Sequence, residues 1–207
     1  MPTPTDTELW QEALEGSSDA FGALFERHAP SVYNLCFRRT GDWALAEDLT
    51  SAVFLETWRK RHKVTLWDGS LRPWLLGVAV NWVRNQGRSL RRYENALKRL
   101  PRSANTADFS EELTSRLDDE RRMVSILQLV TRLPQREQDV LALCVWSELS
   151  YEAAAAALNV PVGTVRSRLA RARIRIRELA ASSGHELSSE RSLGRALVAD
   201  PGVNDER

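Results

Sequence analysis

Two cysteines and three histidines are all that this 207-residue chain offers as soft metal ligands or reactive thiols. Cys36 and Cys144 lie far apart, each inside an apolar helical pattern, and neither joins a ligand spacing. They read as buried thiols of a reducing compartment, and no metal site is expected. Long hydrophobic runs are missing as well. No stretch approaches the roughly 18 apolar residues of a membrane span, and residues 1–7 carry no basic and apolar leader, so a cytoplasmic protein without direct membrane insertion is expected. Nor is there an excess of one charge: 29 Lys and Arg stand against 28 Asp and Glu, a net of +1, so any affinity for nucleic acid must come from how charge is distributed. No acid pair, nucleophile with its base, or phosphate-binding glycine loop is found, so catalytic residues and cofactors are expected to be none. Strand signals are scarce and 43% of residues are hydrophobic. The expectation is an all-α chain of two small helical domains joined by a flexible linker.

What the chain does have is concentrated at 133–179. Ser150 is placed to cap a short helix, the alanines at 153–157 are small enough for another helix to cross closely, and Leu158 anchors the end. After Asn159 and Val160, Pro161 fits the first turn of the next helix, where a missing N–H costs nothing. Wound at about 100° per residue, that helix gathers Val162, Val165, Leu169, Ala172, Ile176 and Leu179 on one stripe. Thr164, Ser167, Arg168, Arg171 and Arg175 face away, Arg166 and Arg173 lie on the flank, and 162–177 contains no acid. Guanidinium forks match guanine edges and phosphates, and short hydroxyls permit close backbone approach. The pattern is a helix-turn-helix whose second helix suits the major groove.

Upstream, residues 1–18 read as a short N-terminal arm. Ser18 or Asp19 can cap a helix carrying Phe21, Leu24 and Phe25, and Pro30 reads as the start of another carrying Val32, Leu35 and Cys36. Gly41 and Asp42 end that element and cap the next, 43–61. A loop at 62–69 and a fourth helix at 70–86 follow. From Gly87 the pattern lapses into Arg, Ser and Asn with Pro101. The first domain is therefore set at 19–92, a linker at 93–122 and the C-terminal domain at 123–181, where Pro134 opens a helix with Val140, Leu141, Leu143 and Cys144. The polar tail, 182–207, is expected to fray.

Two helices of the first domain carry more apolar or basic surface than one core needs. In 43–61, Leu45, Leu49 and Val53 form one stripe, yet Phe54 and Trp58 fall on the opposite side with Glu47 and Ser51. Either the domain covers both faces or one docks another protein. In 70–86, Leu75, Leu76, Ala79, Trp82 and Val83 face one way, while Trp74, Gly77, Asn81, Arg84 and Asn85 face the other. With Thr65, Leu66 and Trp67 in the preceding loop, that second face has what unpaired DNA needs: rings for bases, amides for edges and arginines for phosphates. The alternative is that Trp67 and Trp74 plug the loop onto the helix.

Several stretches together resemble a known family. Ala46-Glu47-Asp48-Leu49 with Phe54 and Trp58, Pro73-Trp74-Leu75 with Ala79 and Asn81, Leu133-Pro134 with Glu137, and the run from Pro161 through Leu169 occur in the order seen in bacterial RNA polymerase sigma factors. The similarity is to the small extracytoplasmic-function group, which retains only regions 2 and 4, and it covers about 19–179. It implies a region 2 that docks on core RNA polymerase and opens the minus 10 element, and a region 4 that binds the minus 35 element of promoter DNA as duplex. Carried over by position, Glu47, Asp48, Leu49, Ser51, Phe54 and Trp58 fall in the polymerase-docking helix. Thr65, Leu66 and Trp67 fall in the loop that captures a flipped base, with Trp74, Asn81 and Arg84 on the adjoining helix. Thr164, Arg166, Ser167, Arg168, Arg171 and Arg175 fall on the minus 35 helix. An anti-sigma factor as inhibitory partner, and a free monomer, are further implications.

The chain departs from the family pattern at Ser51, where glutamine is usual, and at Ala170, where a bulkier residue often meets DNA. Two other readings use the same residues: a dimeric helix-turn-helix regulator, which would bind paired half-sites, and a decoy that binds polymerase without initiating.

Overall fold

The computed structural model describes residues 3–97 and 127–182, with side chains for 3–86 and 127–179. Among these residues the regular elements are helices, and the sole β-type pairing is an isolated bridge between Trp67 and Ser70. The first body holds α1 (Asp6–Leu14), α2 (Ser18–Thr40), α3 (Trp43–Arg59), a 3₁₀ turn (Arg61–Lys63) and α4 (Arg72–Leu97). The second holds α5 (Gln135–Leu141), which runs on as a π-helical turn (Ala142–Trp146), then α6 (Tyr151–Leu158) and α7 (Val162–Ser182). The linker proper beyond Leu97, and the tail beyond Ser182, lie outside the described residues.

Local chemistry accounts for most boundaries. Gly41 closes α2 in the left-handed conformation at φ 69°, and the Asp42 carboxylate caps α3 by accepting from the Leu45 N–H at 2.9 Å. Ser150 caps α6 through the Ala153 N–H at 3.1 Å, and Asn159 ends it with φ 51°. The tight corner between α6 and α7 is thus built from the residues expected to make it.

Three boundaries differ from the sequence-based expectation. Residues 6–14 of the arm are a helix, because Thr5 and Glu8 close a reciprocal capping box and Leu9, Trp10 and Ala13 are buried. Pro30 does not start a helix: α2 passes through it from an N-cap at Ser17, with Leu24 and His28 before it and Val32, Leu35 and Cys36 after it all buried. An interior proline costs about 3 kcal/mol, and burial of Leu24, Val32 and Leu35, at about 1.5–3 kcal/mol each, outweighs it. Finally, α4 continues past Gly87 to Leu97, beyond the helix end expected at 86.

The two bodies share one core. Leu24, Leu35, Val53, Leu71, Leu75, Leu76 and Val80 of the first continue into Val140, Leu143, Ala154 and Val165 of the second, while Leu133, Leu141, Ala172 and Ile176 form a smaller cluster under α7. The junction is the crossing of α4 on α6. A Cβ on Gly77 would fall inside contact distance of the Ala157 carbonyl oxygen, with the carbonyl carbon 3.1 Å away, so only glycine lets the backbones approach this closely. Around the crossing, Asp139, 1% exposed, is paired with Arg39 at 3.3 Å and with Arg84. Arg39 also donates to the Gln138 side chain at 3.2 Å, Arg72 to the Ser147 carbonyl at 2.7 Å and Arg38 to the Trp146 carbonyl at 3.2 Å. Both oxygens of this buried carboxylate find a guanidinium, which is the condition under which a buried ion pair is tolerated.

Candidate nucleic-acid and partner-binding surfaces

Helix α7 divides as its periodicity requires. Val165, Leu169, Ala172 and Ile176 are buried, and Val162 and Leu179 are half-buried. On the other side Arg166, Ser167, Arg171 and Arg175 are exposed, and Thr164 and Arg168 are half-buried. The exposed groups are not equivalent. Ser167 donates to the Thr164 carbonyl at 3.1 Å, and Arg171 lays its Nε against the Ser167 carbonyl at 3.2 Å, which steadies the guanidinium while leaving its outer fork for a ligand. Arg166 lies 3.9 Å from Glu152 and 5.8 Å from the centre of the Tyr151 ring, a loose surface association. Arg175, by contrast, is joined to the buried Glu137 of α5. It belongs as much to the packing of α5 on α7 as to the open face.

Helix α3 resolves the question of its two apolar sides. Leu49 and Phe54 are buried, and Trp58 is half-buried with its ring 4.9 Å from Phe21 and Arg61 stacked 4.5 Å over it. Phe54 meets Phe21 at 6.2 Å and Phe25 at 4.7 Å. The second apolar side is therefore covered by α2, and the open edge includes Glu47, Asp48 and Ser51. To these the structure adds Leu55, 53% exposed and one turn beyond Ser51, which sequence reasoning missed although the four-residue spacing announces it.

The loop before α4 is a tight turn. Trp67 and Ser70 exchange backbone hydrogen bonds of 3.0 and 2.9 Å, and the two residues between them, Asp68 and Gly69, have φ of 48° and 70°. Positive φ at both central positions is the type I′ hairpin geometry that Asp-Gly favours. It holds Trp67 out with 41% of its surface exposed, Thr65 exposed and Leu66 half-buried beside it in sequence. On α4, Asn81 and Asn85 are exposed, whereas Gly77 lies under Ala157 and Arg84 pairs with Asp139. Trp74 is half-buried and packs against the common core. The basic face expected on this helix is thus divided: its amides are open, and its arginine and glycine are taken up by the second body.

Among the described residues no cluster of His, Cys, Asp and Glu is arranged to hold a metal, and no helix is long and apolar enough to cross a membrane. Burial pushes the Cys36 thiol up to about 12 and the Cys144 thiol to about 11, out of the range of nucleophilic chemistry at neutral pH.

The molecule thus pairs an exposed arginine face, on the second helix of a helix-turn-helix, with an exposed tryptophan on a tight turn of the first body. Comparison with known proteins sharpens this. Residues 24–93 match the model of sigma-70 region 2, and residues 123–176 match that of sigma-70 region 4. The RNA polymerase sigma factor HrpL of Pseudomonas syringae is 31% identical over 134 residues, covering 64% of this chain and 71% of that protein. The ECF RNA polymerase sigma factor SigE of Mycolicibacterium smegmatis is 28% identical over 185 residues, 88% and 70% of the two chains. The fold matches CnrH, solved in complex with the cytosolic domain of CnrY, with a TM-score of 0.63 at 22% identity over 86% of this chain and 97% of that one. The chain belongs to the sigma-70 family, in its extracytoplasmic-function group of RNA polymerase sigma factors.

Proposed function

We propose that this sigma factor divides initiation between its two bodies as follows. The open edge of α3, Glu47, Asp48, Ser51 and Leu55, docks on core RNA polymerase, with Leu49, Phe54 and Trp58 holding that edge from beneath. The 67–70 turn presents Trp67, with Thr65 and Leu66, to an unpaired base of the minus 10 element, and Asn81 attends the strand beside it, joined by Arg84 once that side chain leaves Asp139. Helix α7 enters the major groove of the minus 35 element with Thr164, Arg166, Ser167, Arg168 and Arg171, while Arg175 supports it from Glu137. The observation that carries this reading is the sorting of α7: Val165, Leu169, Ala172 and Ile176 buried opposite an arginine face that carries no acid from 162 to 177, placed by a helix-turn-helix corner.

No catalytic group is required of such a protein. Each extruded base loses a few kcal/mol of stacking and pairing, which contacts to an aromatic ring offset by about 1–3 kcal/mol per base, and nucleotide chemistry belongs to the polymerase. The protein acts in the cytoplasm, where that polymerase is, and as a monomer when free. CnrH was solved with the cytosolic domain of CnrY, and a RpoE of Bartonella quintana, at a TM-score of 0.56, with the anti-sigma factor NepR. We read the same kind of control, by an anti-sigma factor, into this chain.

Purified core polymerase, the full chain and a library of promoter fragments test the assignment. Specific initiation on a subset sharing two spaced elements is the expected result. Binding to core without any transcript would make the protein a decoy, and dimeric binding to paired half-sites without core would make it a conventional regulator; either overturns the reading.

A further inference from the structure

Helix α1 contributes nothing to the surfaces described above, yet its first turn is bonded to the turn that carries Trp67. The Asp6 carboxylate, in a residue 7% exposed, accepts four hydrogen bonds. Arg27 donates to Oδ1 at 2.6 Å, and Oδ2 receives the His28 Nε2 at 2.7 Å, the Leu71 backbone N–H at 2.9 Å and the Ser70 hydroxyl at 3.3 Å. A carboxylate only accepts, so Nε2 of His28 carries its proton. One residue on, the Thr7 hydroxyl donates to the Gly69 carbonyl at 3.3 Å. The turn itself is closed by the reciprocal Trp67 and Ser70 bonds, and α1 is fixed in turn by its capping box and by Leu9, Trp10 and Ala13 in the core. A rigid path therefore runs from the core through α1 to the exposed indole.

We propose that Asp6 is a positioning residue for promoter opening: with Thr7 it clamps the 67–70 turn so that Trp67 is already ordered when a base is extruded. This rests on the assignment of base capture to that turn. The physical gain is entropy. A free loop would have to be ordered at the moment of capture, in competition with restacking of the duplex, whereas a clamped one meets that cost on folding. Chemistry at 6 has to be a carboxylate, because an amide there would aim its N–H₂ at one of four donors.

The test uses the full chain with Asp6→Asn, Thr7→Val and Trp67→Ala, and the strongest template recovered from the promoter library, in duplex form and with a mismatched, pre-melted minus 10 segment. In the free protein, Asp6→Asn is expected to speed hydrogen exchange of the Ser70 and Leu71 amides about tenfold, with α2 amides unchanged. Initiation on the duplex should fall about tenfold and on the pre-melted template less than about twofold. Thr7→Val, which removes one exposed bond and leaves the buried network whole, should move both readouts the same way by about twofold. Unchanged exchange at 70–71, or equal losses on both templates with a lowered urea midpoint, would show an ordinary stabilising contact and overturn the proposal. Selective loss in Trp67→Ala beside wild-type behaviour of Asp6→Asn would overturn the positioning role alone. Equal losses on both templates for Trp67→Ala would remove base capture from the turn, and the positioning role with it.

Discussion

His28 shows at the level of a single side chain how this fold responds to pH. Burial holds its pKa below the ordinary 6.5, an effect only partly countered by the Asp6 carboxylate and reinforced by the nearby Arg27 and Arg72. The folded imidazole is neutral, so as pH falls below 6.5 the unfolded chain takes up a proton that the folded one does not, and stability declines through that window. Asp6 acts lower. Burial would raise its pKa, but the Leu71 N–H and the Arg27 and His28 contacts hold it below the ordinary 3.8, so its contribution is present above that value and lost as pH falls through the folded pKa. Urea midpoints measured from pH 7.5 to 5 should fall for the wild type and fall less steeply for His28→Gln. A second residue-scale expectation concerns Arg171, whose Nε is held by Ser167 while its fork stays open. Arg171→Ala should weaken minus 35 binding by about 1–3 kcal/mol in a base-dependent way, read by competition binding on single-base variants. Arg175→Ala should instead lower the thermal midpoint, since its partner Glu137 is buried and would be left unpaired.

At the scale of elements, the corner between α6 and α7 can be tested through Asn159, which holds φ 51°. A β-branched residue in that conformation costs about 1–2 kcal/mol, whereas glycine adopts it freely. Asn159→Val should lower the unfolding midpoint in a thermal melt and Asn159→Gly should leave it nearly unchanged. This corner was legible in the sequence because its signals are local: a capping serine, a residue tolerant of positive φ, a proline where no N–H is needed. The same holds for Gly41 and Asp42. Pro30 misled for the opposite reason. Its local preference is to begin a helix, and the side chains that override it are buried against α1, α3 and α4, contacts no short window contains. In 1–18 the Thr5 and Glu8 pair did spell a capping box, but nine residues form a helix only when a core receives Leu9 and Trp10. Of the candidate site, the faces of α3 and α7 followed from helical spacing. The turn that presents Trp67 is fastened to Asp6, some 65 residues away, and nothing in the spacing points there.

The whole molecule depends on a relation that neither body displays alone. Helical periodicity put Gly77 and Arg84 on one face of α4, and the alanines at 153–157 left room for a crossing helix, but only the assembled core reveals that each is the other's partner. Gly77 is the point at which this can be tested, because substitution there has two opposed effects. Within α4 a leucine is the better helix former by almost 1 kcal/mol, so the first body gains. Against α6 it has no room, since even a Cβ meets the Ala157 backbone, and a carbonyl cannot rotate aside as a side chain would. The bodies must part. Separation exposes Asp139, Arg39 and Arg84 to water, which is tolerable because hydration replaces the pairing each loses. Gly77→Leu is therefore expected to keep its helical circular dichroism while its radius of gyration in X-ray scattering rises above that of the wild type. Asp139→Ala should do likewise, because a closed molecule would otherwise hold Arg39 buried without its carboxylate, a cost of about 3–5 kcal/mol that opening relieves. An unchanged radius in both variants would mean that the crossing accommodates bulk by repacking and that the shared core, not the glycine and the aspartate, sets how the two bodies sit. Arg84 gives the result its meaning for initiation: its guanidinium cannot serve Asp139 and a DNA strand at once, so a variant that frees it should bind single-stranded minus 10 DNA more tightly, measured by fluorescence anisotropy, than the closed parent does.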